Sequence, residues 1–583
     1  MNQSMPEGIK PAKFPSELTL LLLFVFPSLL TANTCAARTS GNFNVPNTWT
    51  RCGATTPQPG DTISIGTTHV VTLTSDATFI SGILTGSTGR LVSDGAPHLL
   101  TLLGTSGTLL DCLRGPNNPA DTTAGFCINL DRVSVSAPNL TAGAVAIGHT
   151  YGLGSSVALR IVNAPGLSVS TLGYVIAGDG RAGADNYVIT NNQFTGGGGG
   201  IIHSRIANLN VSLNAFTGMS GDDIFNTSVI PSTTCTISHN SDRNPLAGGY
   251  LYKTIAPDPC SGTGNSQQSD PAGLYTRYLV RGNNGAMPNI TWTFNIGRAY
   301  AAGANMFASQ PGTAISPAVF SQNVSVGYDT LIRYASYNDS RQNVAHVYSY
   351  NQAGQGAYFC YGFITACNSA NDIGIVHSGV GNILWFGLTG ANFNITNATA
   401  INDNTAENSL NFLFGELGDG NQCGIPGAPC SMLNSISYGA ANGVYSYNPA
   451  NHFSTLGTGS AGVAGNNVYG ALTPYTWLAP ATNFGTSPAH PSATYADQTL
   501  NPAFPEIDRT YARCDEILGW LPAGTGSEDH LFRQLANRSN GTNAPAYTPE
   551  AVYACMVAPL FPQNPQLTTA GALPPQPLLG AVQ

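Results

Sequence analysis

Charge is what this chain has least of. Asp, Glu, Lys and Arg make up 9% of its 583 residues, against about 25% in an ordinary soluble protein. Lysine occurs only at Lys10, Lys13 and Lys253. So thin a basic content argues against a nucleic-acid partner, whose phosphates call for a dense basic patch. After residue 30 no run reaches the ~18 unbroken apolar residues of a membrane-spanning helix, so no transmembrane span is expected beyond the N-terminal segment. CxxC pairs, His-rich zinc spacings, serine-hydrolase elbows and phosphate-binding glycine loops are missing too, which removes the commonest metal, acyl-transfer and nucleotide chemistries. Hydrophobic residues nevertheless stand at 42%, and glycine at 67 positions. The composition is that of a folded chain whose surface is built from Ser, Thr, Asn and Gly.

Residues 1–32 read as a secretory signal. Lys10 and Lys13 precede an apolar run from Leu18 to Leu30, and Ala32 is a small residue suited to cleavage. Removing this leader leaves 19 basic and 28 acidic residues, still a net −9, with Lys253 the one remaining lysine. The 12 cysteines fall in near pairs along the chain: Cys35/Cys52, Cys112/Cys127, Cys235/Cys260, Cys360/Cys367, Cys423/Cys430 and Cys514/Cys555. An even count behind a secretory signal points to disulfides in an oxidising, extracellular or cell-surface setting, with connectivity left open by sequence.

The chain then repeats itself. Val188-Ile189-Thr190-Asn191-Asn192-Gln193-Phe194-Thr195-Gly196 returns as Asn210-Val211-Ser212-Leu213-Asn214-Ala215-Phe216-Thr217-Gly218. The offset is constant: Ile189 maps to Val211, Asn192 to Asn214 and Phe194 to Phe216. A third copy, Thr236-Ile237-Ser238-His239-Asn240, brings the next asparagine after a slightly longer interval. A period of this order marks a solenoid, whose units bury their apolar faces only against their neighbours. Each unit carries a β-branched strand with alternating character and then an Asn, a residue that tolerates left-handed backbone at a tight corner. The expectation is an all-β, right-handed parallel β-helix with Asn192, Asn214 and Asn240 stacked as a corner ladder.

Residues 33–110 read as an N-terminal cap with the first rungs. Trp49, Pro57-Gln58-Pro59-Gly60-Asp61, Thr62-Ile63-Ser64-Ile65 and His69-Val70-Val71-Thr72-Leu73 give a turn and two alternating strands. This opening resembles that of secreted bacterial β-helix proteins of the pectate-lyase-like superfamily. The β-helix is expected over 111–500, broken by a Gly-, Pro- and Ser-rich loop near 241–275. Residues 501–583 change character, with helix candidates at 527–538 and 548–557. Thr548-Pro549-Glu550 supplies an N-cap, a proline at the first helical position and an acid at the positive end of the dipole. The segment Asn501-Pro502-Ala503-Phe504, Arg509 and Cys514-Asp515, with the closing Gly580-Ala581-Val582, resembles a module found after such β-helices, which implies a small C-terminal helical cap. Pro505 departs from that module's commoner valine.

Gly221-Asp222-Asp223 is the stretch with most chemical content. Paired carboxylates on one rung can perform acid/base work on a glycosidic bond, or hold calcium. The triplet resembles the G-D-D motif of polygalacturonase-like glycosidases, although the neighbouring signatures of that family are missing and His239 stands without its glycines. The plain alternative is that Asp222 closes a turn. Arg243, Lys253, Arg277, Arg281 and Arg298 cluster in one short part of the chain and could line a groove beside it. Lyases of the pectate-lyase-like superfamily use a Lys or Arg as base on a uronate, which would give Lys253, Arg277 and Arg281 catalytic roles beside Asp222 and Asp223. The plain reading is that these arginines cap carboxylates and carbonyls. His239, Arg243, Tyr250, Tyr252 and Trp292 are candidate sugar contacts, as are Tyr275, Tyr278 and Tyr300, unless the aromatics fill the coil. Asp179 and Asp185 flank Gly180-Arg181-Ala182-Gly183 without the spacing of a calcium loop. Calcium is the one cofactor these carboxylates could take. Two functions follow: a secreted β-helix that binds or processes extracellular polysaccharide or cell-surface glycan, as glycoside hydrolase or lyase if an enzyme, or a non-catalytic surface, adhesin or appendage protein.

Overall fold

In the computed structural model the described residues run from 33 to 477 apart from several segments, the longest being 114–125 and 447–462, and include 501–503 and 548–557. The expected helix at 527–538 lies outside them. Short strands recur in rotation among three long sheets, called here A, B and C. Apart from one pairing in the N-terminal cap, successive strands of each sheet are parallel. In sheet B, Asn186–Thr190, Asn208–Ser212 and Thr234–Ser238 align Ile189 with Val211 and Val211 with Ile237. These are the offsets of the sequence repeat. The chain is a parallel β-helix.

Alternation decides which side chains turn inward. Along Asn208–Ser212, Leu209 and Val211 are buried while Asn208 and Asn210 are exposed. Aromatic rings stack inside the coil, with Phe194 4.5 Å from Phe216, Tyr358 4.6 Å from Trp385 and Trp385 4.9 Å from Phe412.

The corner between sheets B and C differs from expectation in one respect. The left-handed backbone is carried by the residue before each ladder asparagine: Asn191 (φ 58°), Leu213 (58°) and His239 (54°). Asn192, Asn214 and Asn240 are instead fully enclosed, and amide hydrogen bonds join them. Nδ2 of Asn192 donates to Oδ1 of Asn214 at 3.0 Å, and that of Asn214 to Asn240 at 3.0 Å. The chain of amides continues through Asn265, Asn295, Asn323 and Asn343. It ends on Asp372, whose Oδ1 accepts from Nδ2 of Asn343 at 3.1 Å and whose Oδ2 accepts from the Ser340 and Ser369 hydroxyls at 2.6 Å each. Burial pushes the Asp372 carboxyl up to about 7, against hydrogen bonds from Ser340, Ser369 and Asn343 that favour its charge.

At the N-terminal end Thr34–Ala37 pairs antiparallel with Trp49–Thr50 and parallel with Thr62–Ile65, which covers the first rung. The Trp49 indole donates to the Phe43 carbonyl at 2.7 Å. Four of the near pairs are disulfides, with Cα separations of 4.4 Å for Cys35–Cys52, 6.5 Å for Cys112–Cys127, 4.4 Å for Cys235–Cys260 and 6.2 Å for Cys360–Cys367. Cys430 and Cys555 are also bridged; Cys423 and Cys514 lie outside the described residues. This disulfide content fits an oxidising compartment. Among the described residues no helix is long and apolar enough to cross a membrane.

Two expectations need correcting. Among the described residues of 241–275, where a loop was expected, strands Ser241–Arg243, Gly249–Thr254, Cys260–Thr263 and Ser266–Gln268 continue the rungs of the coil. The helix Pro549–Val557 is capped by Thr548, whose Oγ1 accepts from Ala551 N at 3.0 Å, yet it does not lie across the last rung. Val552, Tyr553 and Met556 pack on Ile296, Val324, Val344, Ile373 and Ile401, which places the helix alongside sheet C.

Candidate functional site on sheet A

The outward face of sheet A brings together Asp222, Lys253 and Arg281 of the charged residues foreseen for a site, with Tyr250 and Tyr278 beside them. Its strands Ile224–Asn226, Gly249–Thr254 and Arg277–Gly282 are neighbours, and their register stacks Phe225, Lys253 and Arg281 in one outward column. Lys253 Nζ lies 3.0 Å from Asp222 Oδ2, the two side chains being 24% and 13% exposed. Oδ1 of Asp222 accepts from the Tyr250 amide at 3.2 Å. The ammonium also sits 4.7 Å from the Phe225 ring centre and 5.6 Å from that of Tyr250.

Tyr250 and Tyr278 stack with their rings 4.8 Å apart. Arg281 donates to the Tyr250 hydroxyl and holds its guanidinium 5.5 Å from the same ring. Burial, then the nearby Tyr250, raises the Tyr278 phenol above its ordinary range, and the Asp329 charge adds to this against Arg281. Tyr174 is likewise raised, first by burial and then by the charge of Asp222. Both phenols are therefore proton-bearing groups near neutral pH. Close packing assists: a Cβ on Gly199 would come within 2.4 Å of the Tyr174 ring and 2.8 Å of the Asp222 carbonyl.

Other expected members lie elsewhere. Asp223 is fully enclosed, so the pair of outward carboxylates read from Gly221-Asp222-Asp223 does not form. Tyr252 and Trp292 are 1% and 0% exposed and stack on each other at 5.9 Å inside the coil, which withdraws both as sugar contacts. Arg243 belongs to sheet C, paired with Thr217. His239 occupies the left-handed corner and faces Glu550 of the C-terminal helix, Nε2 to Oε1, at 3.8 Å. Arg277 is placed by its backbone beside Gly249, on the next strand of sheet A. Tyr300 lies 4.5 Å from the Arg298 guanidinium, beside sheet C. Asp185 and Tyr275 are outside the described residues, and among those described no three His, Cys, Asp or Glu side chains gather as a metal site.

Sequence reasoning missed Phe225, Tyr174 and Asp329. Phe225 was detectable, since the interval from Phe225 to Lys253 equals that from Lys253 to Arg281. The assembled face offers the stacked Tyr250 and Tyr278 rings, a salt-bridged ammonium and a guanidinium on neighbouring rungs, with the protonated Tyr174 phenol near Asp222. Such a set can hold a polar polymer by stacking and by charge. No known protein family, curated protein or solved structure matches this chain.

Proposed function

We propose that this chain is a secreted β-helix protein that binds extracellular polysaccharide along the outward face of sheet A. The observation that carries the reading is the register bringing Asp222, Tyr250, Lys253, Tyr278 and Arg281 onto adjacent rungs. The half-buried Tyr278 and the rim of Tyr250, 8% exposed, add ring surface beside the charged column, against which the edge of a pyranose ring can rest. Lys253 and Arg281 supply positive charge for a uronate carboxylate, with Asp222 fixing the ammonium.

Hydrolysis is disfavoured here, because it calls for two carboxyl groups facing each other across the scissile bond and Asp223 is enclosed. Elimination fits better. It needs a group within hydrogen-bond reach of the acidic C–H and a cation on the uronate, roles open to Arg281, Tyr278 and Lys253. The enclosure of Asp223 also favours the second reading, a non-catalytic adhesin or surface protein.

Glycan-array binding and assays for reducing ends and unsaturated products on neutral and uronic-acid polysaccharides separate these outcomes. The expected result is binding to uronate polymers that falls about tenfold or more in Lys253→Ala and Arg281→Ala, the loss of a charged contact of about 1.5–3 kcal/mol. Binding unchanged in both variants would place the site elsewhere. Absence of binding to every glycan would leave the surface-protein reading standing.

A further inference from the structure

We propose that the outward face of sheet B is an ice-binding surface. Strands Asn186–Thr190, Asn208–Ser212, Thr234–Ser238, Cys260–Thr263, Thr291–Thr293 and Ala318–Ser321 lie side by side there, in unbroken register. That register draws one outward column through Thr190, Ser212, Ser238, Thr263, Thr293 and Ser321. A second runs through Asn210, Thr236, Ser261 and Thr291, between Val188 and Val319. Asn210, Thr236 and Thr291 are exposed, and the other members of both columns are half-buried.

No formal charge stands in either column. Arg160 precedes them, and Asp339 and Arg341 follow, so charge returns only beyond the two ends. The aromatic rings of these strands, Tyr187, Trp292 and Phe320, are all turned into the coil. An ionic partner therefore finds no counter-charge here, and a sugar ring finds no aromatic face on which to stack. A protein partner finds no apolar or aromatic anchor of the kind that carries an interface. What the face presents is a lattice of hydroxyls with one amide.

The spacing of that lattice selects the partner. Rungs are ~4.8 Å apart and alternate residues of one strand ~6.8 Å apart, both close to repeats of oxygen atoms on the faces of hexagonal ice. The hydroxyls are also held in place. Those of Thr190 and Ser212 lie 3.1 Å apart, Thr293 Oγ1 donates to Thr263 Oγ1 at 3.0 Å, and the Thr291 amide donates to Ser261 Oγ at 3.2 Å. A single hydrogen bond exchanged with water contributes little. A partner that is itself flat, uncharged and periodic engages both columns together, which a small solute does not.

The test measures ice recrystallisation, and partition into a slowly growing ice front, with the full chain. The protein should restrain recrystallisation and be carried into the ice. Thr236→Tyr and Thr291→Lys place a bulky or charged side chain in the second column. Each should raise the concentration needed by about tenfold or more, through the loss of several contacts at once. Both positions are exposed, and unchanged amide exchange in Asn208–Ser212 checks that the coil is intact. Thr55→Lys, exposed in the N-terminal cap, should match the wild type. Ice that recrystallises as in buffer alone, or two face variants as effective as the wild type, overturns the proposal. Retention on crystalline cellulose or chitin, with none on ice, overturns it as well.

Discussion

Replacing Asn214 by Val should damage the coil more than any exposed substitution nearby. The Asn214 side chain makes four hydrogen bonds, all buried. Its Oδ1 accepts from the backbone amide and Nδ2 of Asn192, at 3.0 Å each. Its Nδ2 donates to the Ile189 carbonyl at 2.9 Å and to Asn240 Oδ1 at 3.0 Å. Two of the four partners keep another bond, since Asn192 Nδ2 also donates to Ile161 O and Asn240 Oδ1 also accepts from Asn214 N. The Asn192 amide and the Ile189 carbonyl lose the bond on which the corner relies. At about 1–3 kcal/mol for each orphaned group, the cost is about 2–6 kcal/mol. Backbone strain adds nothing, because φ of 58° belongs to Leu213. A solenoid need not unfold in one step, so the readout is amide exchange in Asn186–Thr190, Asn208–Ser212 and Thr234–Ser238. Asn210→Val, on the exposed face of the same strand, is the control. If the two variants agree within about 0.5 kcal/mol, the ladder carries no special weight and the reasoning fails.

The same geometry sets three further outcomes. Leu213→Asn should stabilise the coil by about 1–2 kcal/mol in chemical denaturation, since Asn accepts the left-handed conformation and its amide could reach Asn191 Oδ1, a buried atom with no hydrogen-bond partner. Removing the Cys235–Cys260 bridge by paired Ser substitution should cost about 3–4 kcal/mol from loop entropy, read by the same measurement. Asp372→Asn should flatten stability against pH. The folded pKa of Asp372, about 7, exceeds its ordinary value of 3.8, so its contribution is complete below about pH 3.8 and lost as pH rises to 7, a change of about 4 kcal/mol at about 1.36 kcal/mol for each pH unit.

The strands were legible because their signal is local. Period-two alternation over 188–190 and its copies, together with a constant offset, fixes both the inward face and the register. The corner was read one residue out for a physical reason. Asn is favoured both by left-handed backbone and by a buried amide ladder, and adjacent asparagines at 191 and 192 fill the two roles in turn. Leu213 and His239 show that the left-handed position carries no constant residue type, whereas the ladder position does. Asp372 closes that ladder where the next corner residue, Ala398, has no side-chain acceptor to receive an amide proton.

Parity accounts for the fate of the site candidates as well. Trp292 sits between outward Thr291 and Thr293, so it had to enter the coil whatever its affinity for sugars. Tyr252 was harder, because residues 249–252 are buried in succession and alternation fails there. The lateral position of the helix also left a trace that only the register makes readable. The outward row of sheet C runs Gln193, Ala215, Ser241, Ser266 and then Ile296, Val324, Val344, Ile373. A solvated face has no use for four successive β-branched apolar residues in one column. The switch from small or polar to apolar falls at the rungs under Val552, Tyr553 and Met556, so the coil's own sequence records where the helix lies.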